Sequence, residues 1–224
     1  MKKSGFTLVE LMIALAIGMV VMLAIYSISN LAQRSSSSVG RKVVTQQDAR
    51  AVLDLMAMEI RMASYNPTRA TAARNMWSNS NCQVSASQAR KGIQNPSAST
   101  IDVQMDLDGD GTIIGDANEN IYYSYDGAQI TRSVNCGPPN TILGGTASGT
   151  NVVNNAAGIP LFRYYNRLDT LIPSAAMTDA QIAGIRRINI TLVVDNELTD
   201  PGVATPRRMI YSTNVIVRNH ALSP

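Results

Sequence analysis

The side chains able to do chemistry fall in a few separate places along the chain. Asp106, Asp108 and Asp110 alternate with Leu107 and Gly109 and run into Gly111 and Thr112. Oxygen ligands at the first, third and fifth positions, a glycine at the sixth and a carbonyl at the seventh are the first half of a calcium loop. The second half departs from that pattern, because Ile114 stands ninth and Ala117 twelfth, where a bidentate acid belongs. Asp116 or Glu119 replaces that acid only in a loop of different length. Two readings therefore stand: calcium held by Asp106, Asp108, Asp110 and Thr112, or an acidic turn ahead of a strand.

Glu10 is a different kind of acid, set one turn inside an otherwise uncharged apolar run. A carboxylate at the centre of a membrane helix costs about 2.5 to 3.5 kcal/mol, and less towards its end, so it requires a partner or must snorkel to water. Cys82 and Cys136 are the only cysteines. A single disulfide is the simplest reading if both lie outside the cytoplasm, stabilising by roughly 4 kcal/mol in the chain-entropy model; two buried thiols are the alternative. His220 is the only histidine, and its place near the C-terminus predicts a surface or tail role. No Gly-x-Ser-x-Gly elbow, phosphate-binding loop or zinc-type cluster is present, so the chain is not expected to be an enzyme, and calcium is the sole cofactor considered.

Charge narrows the partners. The net +3, from 19 Lys and Arg against 16 Asp and Glu, includes Lys2 and Lys3; without them 17 minus 16 leaves +1. A nucleic-acid binder needs clustered basic charge in excess, so none is expected as a partner.

From Leu11 to Ile28 no residue is charged, and with Phe6 to Val9 the apolar run reaches about 23 residues, or roughly 34 Å of helix. A hydrocarbon core is about 30 Å thick, so this run spans a membrane. It is too long for a secretory signal, whose apolar stretch is about 7 to 15 residues. Lys2 and Lys3 favour a cytoplasmic N-terminus, but Arg34, Arg41 and Lys42 nearly balance them.

Farther on, Val44, Ala51, Leu55, Met58 and Met62 recur at spacings of 7, 4, 3 and 4, which predicts one helical face packed on a sheet. Ser35 to Ser38 and Gly40 are weak helix formers and predict a bend, and Pro67 ends the helix. Ile188, Ile190, Leu192 and Val194 alternate with polar residues, as do Met209, Tyr211, Thr213, Val215 and Val217. That period predicts two strands joined by a long loop from Asp195 to Arg208, with further strands at 101–105, 121–125, 129–134 and 161–165. Asp126-Gly127 marks a tight turn, and 136–158, rich in Gly, Asn, Ser and Thr, predicts a surface loop. The fold class is α+β: a long N-terminal helix packed against an antiparallel sheet.

Ser4-Gly5-Phe6-Thr7-Leu8-Val9-Glu10 resembles the prepilin motif of the type IV pilin family, in which a short basic leader ends in Gly and Glu is the fifth mature residue. The resemblance implies that a membrane-embedded prepilin peptidase cuts between Gly5 and Phe6 and methylates the new amine of Phe6. It also implies that this amine and Glu10 form a charge pair between neighbouring subunits during assembly. Asp48-Ala49-Arg50 and Met58 to Tyr65 resemble the helix end of PilW-type minor pilins and of J-type pseudopilins, although that family usually has Gly where Ser64 stands; Tyr211 to Asn219 resembles the PilW-type final strand.

The implied organisation is a leader at 1–5, a transmembrane helix at 6–30, its amphipathic continuation at 31–64 and a globular domain at 65–224. The implied function is that of a minor pilin starting pilus assembly near the tip. Its partners would be other minor and major pilins, the peptidase, the inner-membrane assembly platform and the membrane itself. The C-terminal domain would stand in the periplasm and later at the cell surface. A J-type pseudopilin of type II secretion is the runner-up, and a membrane-anchored periplasmic binding protein or enzyme is the alternative of another class.

Overall fold

A computed structural model describes residues 5, 7–67, 76–78, 86–113, 115–145, 150–196 and 208–222. Its first element is one helix, α1 (Leu8–Arg61), which continues without a break through Ser35 to Gly40. The serines there lose little by being helical, since Ser37 Oγ donates back to the Arg34 carbonyl at 2.9 Å, satisfying the hydroxyl within the helix.

Ten strands follow: β1 (Ile93–Gln94), β2 (Thr100–Gln104), β3 (Asn120–Tyr125), β4 (Gln129–Val134), β5 (Asn140–Gly144), β6 (Thr150–Val152), β7 (Phe162–Tyr165), β8 (Leu171–Ile172), β9 (Arg187–Asn196) and β10 (Arg208–Ile216). Two short helices, α2 (Asp179–Ala183) and α3 (Arg218–Leu222), flank the last pair. The α+β expectation holds, with two antiparallel sheets where one was expected. The first runs β1-β2-β3-β4-β5, and the second runs β10-β9-β7-β8 with β6 also pairing on β9.

The long period-two segments form as read. Val194 opposes Met209 and Ile188 opposes Val215, so the inward residues of β9 and β10 share one face. Asp126 Oδ1 accepts from the Ala128 and Gln129 N–H groups at 2.9 Å each, and Gly127 takes φ 107 to close the β3–β4 turn. Most of the 195–208 loop lies outside the described residues.

Two expectations need correction. The segment 136–158 contains β5 and β6, and the turn after them is fastened by the buried Asn154. Asn154 Nδ2 donates to the Thr191 carbonyl at 2.7 Å and its Oδ1 accepts from Val193 N–H at 2.9 Å. Polar side chains there do structural bonding, which hydrophobic periodicity does not register. The expected helix stripe is also displaced. Of the expected residues Met62 packs on the core and Leu55 is half-buried, but Val44 and Met58 are more than half exposed, and the buried face is Thr45, Ala49, Val52, Leu53, Met56, Ala57 and Ile60. That face meets Ile101, Val103, Tyr123, Ile190, Leu192 and Val215 in one core drawn from both sheets.

Candidate functional site

At the N-terminal end of α1, Thr7 is the N-cap in extended backbone geometry. Its N–H and its hydroxyl donate to the Glu10 carboxylate at 2.9 and 3.0 Å, while Glu10 N–H donates to Thr7 Oγ1 at 3.3 Å. This reciprocal capping box satisfies donors that the first helical turn leaves open and sets a negative group at the positive end of the helix dipole. Gly5 is exposed, and a Cβ built on it would meet nothing within 4 Å. Phe6 lies outside the described residues. Every large apolar side chain from Leu8 to Ile28 is exposed, from 50% at Val21 to 76% at Leu8. Helix α1 is long and apolar enough to cross a membrane, and none of the described residues covers that segment.

The other end of α1 is knitted tightly. Ser64 stands at φ 63, the left-handed geometry that favours glycine, and its N–H donates to the Gln104 carbonyl at 2.8 Å. Its hydroxyl accepts from Gly92 N–H at 2.8 Å and lies 2.7 Å from His220 Nδ1. His220 Nε2 is 2.9 Å from the Ile182 carbonyl, which fixes the proton on Nε2 and leaves Nδ1 to accept from Ser64. His220 is therefore not a surface or tail residue. It is fully buried in α3, and burial, outweighing the Ile182 bond, holds its pKa down at about 4. A serine replaces glycine at the helix exit and uses its hydroxyl to tie β1 and the C-terminal helix to that exit.

Between these ends, Glu59 of α1 accepts from Arg132 Nη2 at 2.6 Å, from Arg132 Nε at 3.1 Å and from the Tyr123 hydroxyl. The Tyr123 phenol is pushed well up, first by burial and then by the Glu59 charge. This half-buried cluster fastens the first sheet to the helix.

The acidic segment forms a turn-rich loop between β2 and β3. The Asp106 carboxylate is buried and accepts from Gly109 and Gly111 N–H at 2.7 and 3.2 Å. Asp108 accepts from Asp110 N–H at 3.0 Å, and Asp110 from Thr112 N–H at 2.6 Å. Glycines 109 and 111 take φ 83 and 80. Ligand-type oxygens gather in two overlapping groups, Asp106 with Asp108 and Glu119, and Asp108 with Asp110 and Asp116. Glu119 and Asp116 join the aspartates read from the sequence. Cys136 sits in the turn after β4 at φ 60 and is not a free thiol. Cys82 lies outside the described residues.

Residues 1–26 match the family model described as the prokaryotic N-terminal methylation motif. No curated protein and no solved structure matches the chain.

Proposed function

We propose that this type IV pilin-like chain, membrane-anchored through the first half of α1, is a minor pilin of the PilW type that helps to start pilus assembly near the tip. The observation that carries the reading is the pairing, at one end of a bare apolar helix, of the methylation motif with an acid that caps the first turn. Hydrolysis of the Gly5–Phe6 bond would release Lys2 and Lys3 and free the Phe6 amine beside a carboxylate already held in place. At about 4 Å and an effective dielectric near 20 such charges attract by roughly 4 kcal/mol before desolvation is subtracted.

Within the lone subunit, the Thr7 N–H and hydroxyl answer the Glu10 charge. In the filament, a neighbour's Phe6 amine takes over that task and sets the stagger between helices. The second half of α1 adds to the contact surface, because Val39, Val44 and Met58 stay exposed on the side away from the sheets. The division into leader 1–5, span 6–30, continuation 31–64 and periplasmic domain 65–224 follows from this reading. So do a Cys82–Cys136 disulfide, formed in that oxidising compartment, and partnership with other pilins and the inner-membrane assembly platform.

The test is Glu10→Ala in cells that assemble filaments. The chain should remain in the membrane fraction while its amount in sheared, purified pili falls at least about tenfold. Normal incorporation of Glu10→Ala would refute the role. Recovery of the wild-type chain only in a short secretion pseudopilus would move it to the J-type class.

A further inference from the structure

We infer that Asp106, Asp108 and Glu119 form a calcium site that closes the β2–β3 connection. This does not rest on the pilin reading. The sequence pattern lacks its bidentate acid at the twelfth position, and the fold supplies one two residues later: Glu119, just before β3, folds back over the start of the loop. Its Oε1 accepts from Leu107 and Asp108 N–H at 2.6 and 3.3 Å, which fixes the carboxylate.

The independent sign of a ligand is the other oxygen. Glu119 is 1% exposed, and its Oε2 is buried with no hydrogen-bond partner. Buried carboxylate oxygens are normally bonded, and within a cluster of acids a cation is the partner that can satisfy one. One oxygen each from Asp106, Asp108 and Glu119 lies within 4.8 Å of the others, which is the span across a coordination sphere of about 2.4 Å radius, the Ca–O distance.

Charge points the same way. Asp106, Asp108, Asp110, Asp116 and Glu119 carry five formal negative charges, and no Lys or Arg occurs between Met105 and Asn120. None of the five forms a salt bridge among the described residues. An all-oxygen carboxylate set of this kind suits calcium better than magnesium, which demands near-ideal octahedral geometry and keeps its water. Asp106 N–H donates to the Tyr65 carbonyl at 2.8 Å, so an ion here would brace the helix exit as well as the loop.

The test uses the full chain in detergent micelles, stripped with a chelator and titrated with calcium chloride by calorimetry, with thermal unfolding in parallel. Saturable binding near one ion per chain is expected, with the unfolding midpoint raised by about 5 °C or more. Glu119→Gln and Asp108→Asn should each weaken binding at least tenfold, and Asp169→Asn, in the β7–β8 turn, should leave it unchanged. Asp108 is exposed, so its variant reports on binding even where Glu119→Gln fails to fold. Absence of saturable heat, binding unchanged in Asp108→Asn, or a stronger response to magnesium than to calcium would overturn the assignment.

Discussion

Between Leu8 and Ser29 every described side chain of α1 is exposed, whereas between Thr45 and Arg61 one face is completely buried. The two stretches belong to one unbroken helix, so the difference lies in what surrounds each. The first is apolar on all sides and so must be covered by lipid or by other helices. The second is apolar on two sides, of which the sheets cover only one. Its uncovered stripe through Val44, Ala51 and Met58 continues the bare surface of the first stretch towards the globular domain.

The largest test of this contrast compares two glycines. A Cβ on Gly92 would lie 2.3 Å from the Gln104 carbonyl oxygen and 2.4 Å from Ser64 N, where backbone cannot yield. Gly92→Ala should destabilise the domain by more than about 4 kcal/mol or abolish its cooperative melting. Gly18→Ala meets nothing within 4 Å and should leave domain melting unchanged. Next in size is Ile60→Ala, which empties a fully buried site and should cost about 2 to 5 kcal/mol in denaturant unfolding. Met58→Ala, two residues away and 59% exposed, should cost less than about 0.5 kcal/mol. A larger loss for Met58→Ala than for Ile60→Ala would mean that the two faces of the helix had been exchanged.

That exchange is the error sequence periodicity makes here. The outward stripe carries Val44 and Met58, while the buried face includes Thr45, Ala49 and Ala57, whose small side chains carry little hydrophobic signal. Small residues let the sheets approach the helix closely, so the tightest packing left the faintest trace. The membrane stretch, the prepilin-type motif and β9 and β10 were legible because one environment governs each. β5, with its two outer residues exposed, and β6, only three residues long, were not. Nor was the Ser64–His220 bond, because it joins residues 156 positions apart and depends on a serine in glycine's geometry. The aspartates of the acidic loop were readable, but Glu119 joins them only after the loop has turned.

Two buried titratable groups give a smaller and subtler effect. Asp102, in β2, has neither carboxylate oxygen hydrogen-bonded, and burial raises its pKa from 3.8 to about 7. The folded chain therefore keeps a proton that the unfolded chain releases, and stability falls as pH rises from about 4 to 7. His220 does the reverse. Its folded pKa of about 4 lies below the usual 6.5, so its contribution is lost as pH falls from 6.5 to about 4. The slopes oppose each other across the same window, and the wild-type profile should be flatter than that of Asp102→Asn. That variant should gain stability at pH 8 and lose it more steeply in acid, as read by thermal melts across pH. A gain in stability at low pH alone would contradict the assignment.

Glu10 and Asp102 are both acids in apolar surroundings, and they meet the difficulty differently. Burial favours the protonated form of Asp102, whereas Glu10 bonds Thr7 and, on this account, awaits an amine that exists only after the chain is cut. Mass spectrometry of the N-terminal peptide of the chain taken from cells tests that most directly. The account predicts a peptide beginning at Phe6 and heavier by one methyl group. A peptide still beginning at Met1 or Lys2, from protein at its working location, would contradict it.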